Sequence, residues 1–348
     1  MSFFHDFFIS LPGSVHRLAK YLFGRTVRRI PGCHRSGLAV TLALSLVSSA
    51  LALTAFADQE ELKSIQVGYQ KYGSFNVIKA QGAFDRLMAA KGIRVEWFLF
   101  PAGPQLLEAL NAGSIELGHT GEAPPIFAQA AGVPFVYLGN QPPYPAGEGI
   151  LVPKDSPIRS VADLKGKKVA LNKGSNVHYL LLRALDQAGL KYQDIHPVYL
   201  PPADARAAFQ GGSVDAWAIW DPYLTAAQAA TGARILVDGS NLVANREFFL
   251  GSRKFVEAHP EVIEVLRQAA DEASRWSTEK PQEVAEFLSP QVGIEPKILE
   301  TIVRRQPSGY KPIDASVISD QQRIADAFFQ LNLIPKAVDV KEAVITPQ

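Results

Sequence analysis

Apolar positions along this chain switch between two rhythms, and the switching repeats. Ser64-Ile65-Gln66-Val67-Gly68-Tyr69 alternates with the period of a strand. Val77, Ile78, Ala80, Phe84, Leu87 and Met88 then follow at helical spacing, up to Gly92. The pair recurs as strand 94–100 with helix 104–112, then strand 115–119 with helix 124–131, then strand 135–138. A stretch rich in proline and glycine runs from Gly139 to Gly149, and a strand at Ile150-Leu151-Val152 opens a second series. That series contains strand 169–171, helix 177–188, strand 196–200, helix 204–210, strand 216–219 and a helix from Pro222. Phe248-Phe249-Leu250 reads as a strand that carries the chain back, and only helices follow, near 260–277, 281–288, 296–304 and 319–331. Strands alternating with helices predict an α/β fold of two lobes, each a mostly parallel sheet flanked by helices. Residues 60–148 plus 247–348 form the expected first lobe, with the helical C-terminal part returning onto it, and 149–246 form the second.

In open α/β sheets a ligand sits outside the carboxyl ends of the strands. The residues expected there are Gln70 and Ser74; Ala102, Gly103 and Pro104; Thr120, Gly121 and Glu122; Ser175 and Asn176; Trp220 and Asp221. Most are neutral hydrogen-bonding groups, glycines or aromatics, a set that suits a desolvated anion held by N–H and O–H donors and helix dipoles. Two segments, Gly118-His119-Thr120-Gly121-Glu122-Ala123-Pro124-Pro125 and Asn172-Lys173-Gly174-Ser175-Asn176-Val177-His178, put a hydroxyl and a glycine where a strand gives way to a helix. Either hydroxyl alone reads as a helix N-cap worth about 1 kcal/mol. In equivalent places of two lobes they read as opposing jaws for one small anion. Glu122 at a helix start either complements the dipole or selects a ligand that carries a donor. Asp221 before Pro222 also reads as a cap, and of Trp217 and Trp220 the latter stands nearer the strand end. His119 and His178 read as structural histidines.

Composition changes the picture mainly at the N-terminus. Of 348 residues, 47% are hydrophobic and 20% charged, enough to bury a large core. Residues 1–57 hold six of the 35 basic side chains and one of the 34 acidic ones, then an apolar stretch to about Leu53 and Ala55-Phe56-Ala57. A basic region, a short apolar region and a small-residue site predict a cleaved signal peptide, an uncleaved anchor being the alternative. The remainder carries 29 basic and 33 acidic residues, a net charge of −4, which argues against nucleic acid as a partner. The single cysteine, Cys33, precedes the apolar stretch, so disulfides, thiol chemistry and cysteine metal ligands are not expected after it.

Catalytic signatures are missing. Gly113 to Thr120 comes within one residue of a phosphate-binding loop, but His119 replaces its lysine, and Ile115 and Leu117 make the segment a strand. No H-E-x-x-H or G-x-S-x-G pattern occurs.

Several stretches carry a family likeness. Gly68-Tyr69-Gln70-Lys71, the run from Phe100 to Leu110 (F-P-A-G-P-Q-L-L-E-A-L) and the run from Gly118 to Ala130 (G-H-T-G-E-A-P-P-I-F-A-Q-A) resemble the aliphatic-sulfonate-binding proteins of bacterial ABC importers. So do Val161 to Val169, Pro202 to Phe209, and Val214 to Tyr223 (V-D-A-W-A-I-W-D-P-Y), and the likeness spans residues 60 to 348. It implies a type II periplasmic-binding-protein fold whose lobes close on a ligand, a periplasmic location, and delivery to a membrane permease with its ATPase subunits. It further implies that Gln70, Thr120, Gly121 and the Ser175-Asn176 turn line the site. Alkanesulfonates are favoured over taurine, with a sulfate ester, an aromatic sulfonate or nitrate as alternatives in the same role. An enzyme making a precursor on the same fold and a sensor subunit are the other readings. A monomer is expected, with no cofactor and no metal. The ligand tail is expected against Trp220 and the Pro101–Pro104 turn.

Overall fold

The computed structural model describes residues 62–345 apart from Tyr72, so the expected signal segment lies outside the described residues. The chain begins with β1 (Ser64–Tyr69), α1 (Ser74–Gln81), α2 (Ala83–Ala89), β2 (Arg94–Leu99) and α3 (Gly103–Asn111). It continues through β3 (Leu117–Gly121), α4 (Pro124–Ala130) and β4 (Phe135–Asn140). A first crossing, 141–147, leads to β5 (Glu148–Val152), β6 (Lys168–Leu171), α5 (Asn176–Gln187) and β7 (His196–Tyr199). Then come α6 (Pro202–Gln210), β8 (Ala216–Trp220), α7 (Tyr223–Thr231) and β9 (Arg234–Asp238). A second crossing, 239–246, returns the chain to β10 (Glu247–Ser252), followed by α8 (Arg253–Ala258), α9 (Pro260–Glu279), α10 (Pro281–Val292), α11 (Pro296–Arg305) and α12 (Ala315–Gln330).

The strands build two five-stranded sheets with orders β2-β1-β3-β10-β4 and β7-β6-β8-β5-β9. In the first, β1 lies parallel to β2 and β3, while β10 runs antiparallel between β3 and β4. In the second, β6 lies parallel to β7 and β8, while β5 runs antiparallel between β8 and β9. Each sheet therefore receives, as its one antiparallel insertion, the strand that has just crossed from the other. The α/β class and the two-lobed plan expected from the hydrophobic rhythm hold.

Alternation inside the strands shows why both faces of each sheet are covered. On β10, Phe248 and Leu250 enter one core with Leu106, Ile126, Tyr137 and Phe328, while Phe249 enters the opposite core with Ile65, Val67, Phe75 and Leu266. On β8, Ala216 and Ala218 face Leu180 and Leu185, while Trp217 and Ile219 face Phe209 and Leu224. Strands apolar on both sides need helices on both sides.

Three local features depart from the sequence reading. The helix expected from Val77 starts at Ser74 and breaks at Gly82, whose φ of +73° lies in the left-handed region that favours glycine. Strand β9 and helix α8 were not anticipated; β9 is an edge strand whose apolar run, Ile235-Leu236-Val237, is only three residues long. The helical tail rests on the first lobe through α9, against α1 and α2, and through α12, but it also reaches the second lobe. There Ala226 of α7 packs with Val284, Leu288 and Ile302 of α10 and α11. Phe328 of α12 touches Phe127 of α4 at 4.7 Å and Tyr179 of α5 at 5.9 Å, a second apolar link between lobes.

The crossings also bury two carboxyl groups. Glu122, 1% exposed, accepts the Arg246 N–H at 3.1 Å through Oε2 and leaves Oε1 without a partner. Glu148, fully buried at the start of β5, leaves both oxygens without one. Burial pushes Glu122 up to about 7 despite the Arg246 contact, and burial plus the nearby Glu122 charge hold Glu148 well above the carboxylate range. A carboxyl raised in the folded state favours folding fully below its ordinary value near 4.5, and that contribution is lost as pH rises through about 7. Over the rise from 4.5 to about 7, at about 1.4 kcal/mol per unit, the loss amounts to roughly 3 kcal/mol. Glu122→Gln keeps an acceptor for Arg246 but cannot ionise. Its urea midpoint should exceed the parent's at pH 8 and approach it at pH 5; equal differences at both values would remove the assignment.

Candidate functional site

Between the lobes lies a cleft with a free volume of about 100 Å³. The first lobe supplies Gln70, Gly73, Gly103, His119, Gly121 and Pro124, and the second supplies Ser175, Asn176, Trp220 and Asp221. The crossings supply Gln141, Pro142, Tyr144, Gly147, Asn245 and Arg246, with Glu247 just beyond, and Gln306 comes from the end of α11.

At the centre, the two lobes touch. A Cβ added to Gly121 would lie 2.0 Å from the side-chain amide of Asn176, so the bare Cα is what lets β3 and the N-terminus of α5 approach. Asn176 in turn donates to Asn245 Oδ1 at 2.7 Å, and Asn245 Nδ2 donates to the Tyr144 carbonyl at 2.7 Å. Asn245 has a φ of 49°, a left-handed conformation that asparagine tolerates better than most residues. Gly103 makes a similar close approach, since its Cβ would meet Pro124 Cγ at 2.8 Å and Thr120 Cβ at 3.1 Å.

The two hydroxyl-bearing turns are not equivalent. Ser175 stands at the N-cap position of α5 with extended backbone, yet its hydroxyl donates to Asn172 O at 2.7 Å rather than capping. The N–H groups of Asn176 and Val177 have no acceptor among the described residues. They sit at the positive end of a twelve-residue helix, where an anion finds both donors and dipole. On the opposite side, Thr120 belongs to β3 itself; it is fully buried and its hydroxyl donates to Gly121 O at 2.9 Å. The helix that follows opens on Pro124 and Pro125, which have no N–H to offer. The jaw from the first lobe is mainly a bare glycine surface, with the Gly103 N–H at the start of α3 also without an acceptor among the described residues, and that from the second is a set of donors.

Of the residues expected at the site, Gln70, Gly103, Gly121, Ser175, Asn176, Trp220 and Asp221 line the cleft together. Thr120, Glu122 and Pro104 do not line it, and Ser74 lines a smaller neighbouring cavity. Trp217 is buried against Phe209 while Trp220 lies at the cleft, because adjacent odd and even positions of β8 face opposite sides.

The ionisable groups are largely satisfied internally. Glu247 Oε1 accepts from the Ser74 N–H at 2.9 Å and pairs with the Ser74 hydroxyl and His119 Nδ1. Burial alone would raise this carboxyl, but the His119 and Ser74 contacts outweigh it and hold Glu247 below its ordinary value. His119 Nε2 accepts the Gln70 N–H at 3.1 Å, so neither imidazole nitrogen is free to act as a base. Asp221 accepts from Tyr144 OH at 3.0 Å, from the Thr225 hydroxyl at 2.6 Å and from Arg305. Arg246 pairs with Asp320 at 3.0 Å. His178, wedged against Phe127 and Phe328, is pushed down to about 4 by burial and by Lys173, and is neutral.

The site extends beyond the ends of the parallel strands to the crossings, which the sequence reading did not include. Gln141, Tyr144, Asn245 and Arg246 reach the cleft because each crossing feeds an antiparallel strand whose first residues lie at the same edge. The proline–glycine run at Gly139–Gly149 was a signal for the first crossing. For the second, the signal was Asn241 and Asn245, both at positive φ.

The family model for NMT1/THI5-like proteins matches residues 77–284. The structure of the alkanesulfonate-binding protein of Xanthomonas axonopodis pv. citri bound to MOPS is 42% identical, covers 82% of this chain and 99% of its own, and superposes with a TM-score of 0.79. The periplasmic aliphatic sulphonate binding protein of Escherichia coli is 45% identical over 82% of this chain and 93% of its own, with a TM-score of 0.74. The taurine-binding periplasmic protein of Escherichia coli K12 is 29% identical over 67% of this chain and 73% of its own. The chain belongs to the NMT1/THI5-like family and, within it, groups with the alkanesulfonate-binding proteins.

Proposed function

We propose that this protein captures an aliphatic sulfonate between its lobes in the periplasm and delivers it to an ABC import permease with its ATPase subunits. One observation carries the reading: unpartnered N–H groups at the start of α5 face a cleft whose opposite wall, Gly121, is bare enough to admit them. A sulfonate suits that arrangement. It is a monoanion at physiological pH, with acceptor oxygens and no proton to donate, so donors and a helix dipole suffice and no buried counter-charge is needed. The named ligand classes of the two relatives above 40% identity agree.

The same electrostatics favour an uncharged tail over taurine. Asp221 and Glu247 are the carboxylates of the cleft wall, and both already accept from protein donors. An ammonium entering there loses water without gaining a free carboxylate. An enzyme reading finds little support, since His119 is engaged at both nitrogens and the near 45% identical relative is a binding protein.

Calorimetry with C2–C8 alkanesulfonates should show saturable binding with no product formed on long incubation. Taurine should bind at least about tenfold more weakly than propanesulfonate, its near-isostere, a gap of ~1.4 kcal/mol. Absence of heat and of thermal shift across the panel would sink the reading, and any turnover would favour an enzyme.

Gly121→Ala tests the contact between jaws. Its methyl collides with Asn176 as the lobes meet. Overpacking of this kind costs about 1–3 kcal/mol, so affinity should fall about ten- to hundredfold, with the unliganded melting temperature changed far less.

A further inference from the structure

A second cavity opens beside the cleft. It has a free volume of about 30 Å³ and shares three wall residues with the cleft: Gly73, Gln141 and Gln306. Those three form a threshold. Gly73, at φ +115°, has no room for a side chain, because a Cβ there would lie 2.6 Å from His119 and 2.9 Å from Glu247. The side-chain amides of Gln141 and Gln306 make no hydrogen bond to any described residue, although Gln141 is 7% exposed. Behind the threshold the wall is hydrocarbon: Val77 and Ile78 of α1, Phe249 of β10, Ala270 and Ala273 of α9, and Val303 of α11. Four serines also line it: Ser274 and Ser308 bond to each other at 2.9 Å, the Ser74 hydroxyl is held by Glu247, and Ser277 is the fourth. No charged side chain lines it.

The geometry points to this cavity as the seat of the ligand's alkyl tail, an assignment that rests on the sulfonate reading above. The headgroup needs the donors of α5, and the annex has no charge or free helix end to hold an anion. A chain extending from the cleft across Gly73 meets two free amides and then apolar walls on three helices. The free volume exceeds the ~10–15 Å³ required for one water-sized group, so the end of an alkyl chain enters while a bulky ring does not. This places the tail away from Trp220 and the Pro101–Pro104 turn, where the sequence alone put it. It also makes Ala273 and Val303 determinants of chain length.

The test compares affinities for unbranched C1–C8 alkanesulfonates in the parent, Ala273→Leu, Val303→Ala and Trp220→Ala proteins, with melting curves of each unliganded protein. In the parent, each methylene that enters the annex should strengthen binding by up to about fourfold, followed by a plateau. Ala273→Leu fills the cavity; it should abolish the gain for longer chains and leave methanesulfonate within about twofold of the parent. Val303→Ala enlarges the cavity and should move the plateau to a longer chain, and it decides the matter alone if the leucine variant does not fold. An unchanged chain-length profile in a folded variant overturns the assignment, as does a profile flattened only by Trp220→Ala. Loss of all binding in the parent, methanesulfonate included, rejects the sulfonate reading itself rather than the location of the tail.

Discussion

Hydrogen bonds between the two chain crossings hold the cleft in register. Gln141 N–H donates to Glu247 O at 2.8 Å, Tyr144 N–H to Ala244 O at 3.1 Å, and the Asn245 amide to Tyr144 O at 2.7 Å. Each crossing continues directly into the antiparallel strand of the other lobe, β5 or β10, so the paired segments are anchored in both sheets. Asn176 adds the helix of the second lobe to this chain of bonds through Asn245. Bringing so much backbone together leaves little room for water, and the two buried carboxyls, Glu122 and Glu148, are its electrostatic consequence. Burial pushes both toward the protonated form, Glu122 up to about 7 and Glu148 well above the carboxylate range.

The electrostatics of the cleft follow from internal pairing rather than from an absence of charge. Arg246, Asp221 and Glu247 all reach the wall, yet each is held by a partner: Asp320, Arg305 with Tyr144 and Thr225, and His119 with Ser74. What stays unspent is mostly neutral, namely the N–H groups opening α5 and the amides of Gln141 and Gln306, together with the buried Nε of Arg246, which has no partner among the described residues. Fixed, mostly neutral donors suit an anion whose charge does not change with pH, and the one cation at the wall, Arg246, already has Asp320 as its counter-ion. Where the lobes touch, the fit is one of shape, and Gly121 supplies it.

Much of this architecture was readable from period and punctuation. The strands and most helices follow from alternation and 3.6-residue spacing, and both boundaries of β1 coincide with the alternating run Ser64–Tyr69. Break points that depend on a single residue were less visible: Gly82 divides α1 from α2 because its left-handed backbone ends a helix that apolar spacing alone would continue. The edge strand β9 was hidden because Ile235-Leu236-Val237 is too short to show a period. Likewise, a hydroxyl beside a glycine announces a turn without saying whom it serves. Ser175 spends its proton on Asn172, and Thr120 turns inward to Gly121 O.

By itself, then, the sequence determined the α/β class, the two series of strand–helix units and the kinds of group at the strand ends, because local periodicity and turn chemistry act over a few residues. Tertiary structure alone decided which of those groups face the cleft and which do not. Gly121 meets Asn176, 55 positions away, and Asn245 meets Tyr144, 101 positions away, through contacts that no local pattern encodes. The same holds for Glu122, whose partner Arg246 lies 124 residues on. Whether a carboxylate at a strand end faces a ligand or a chain crossing depends on what the folded chain brings behind it.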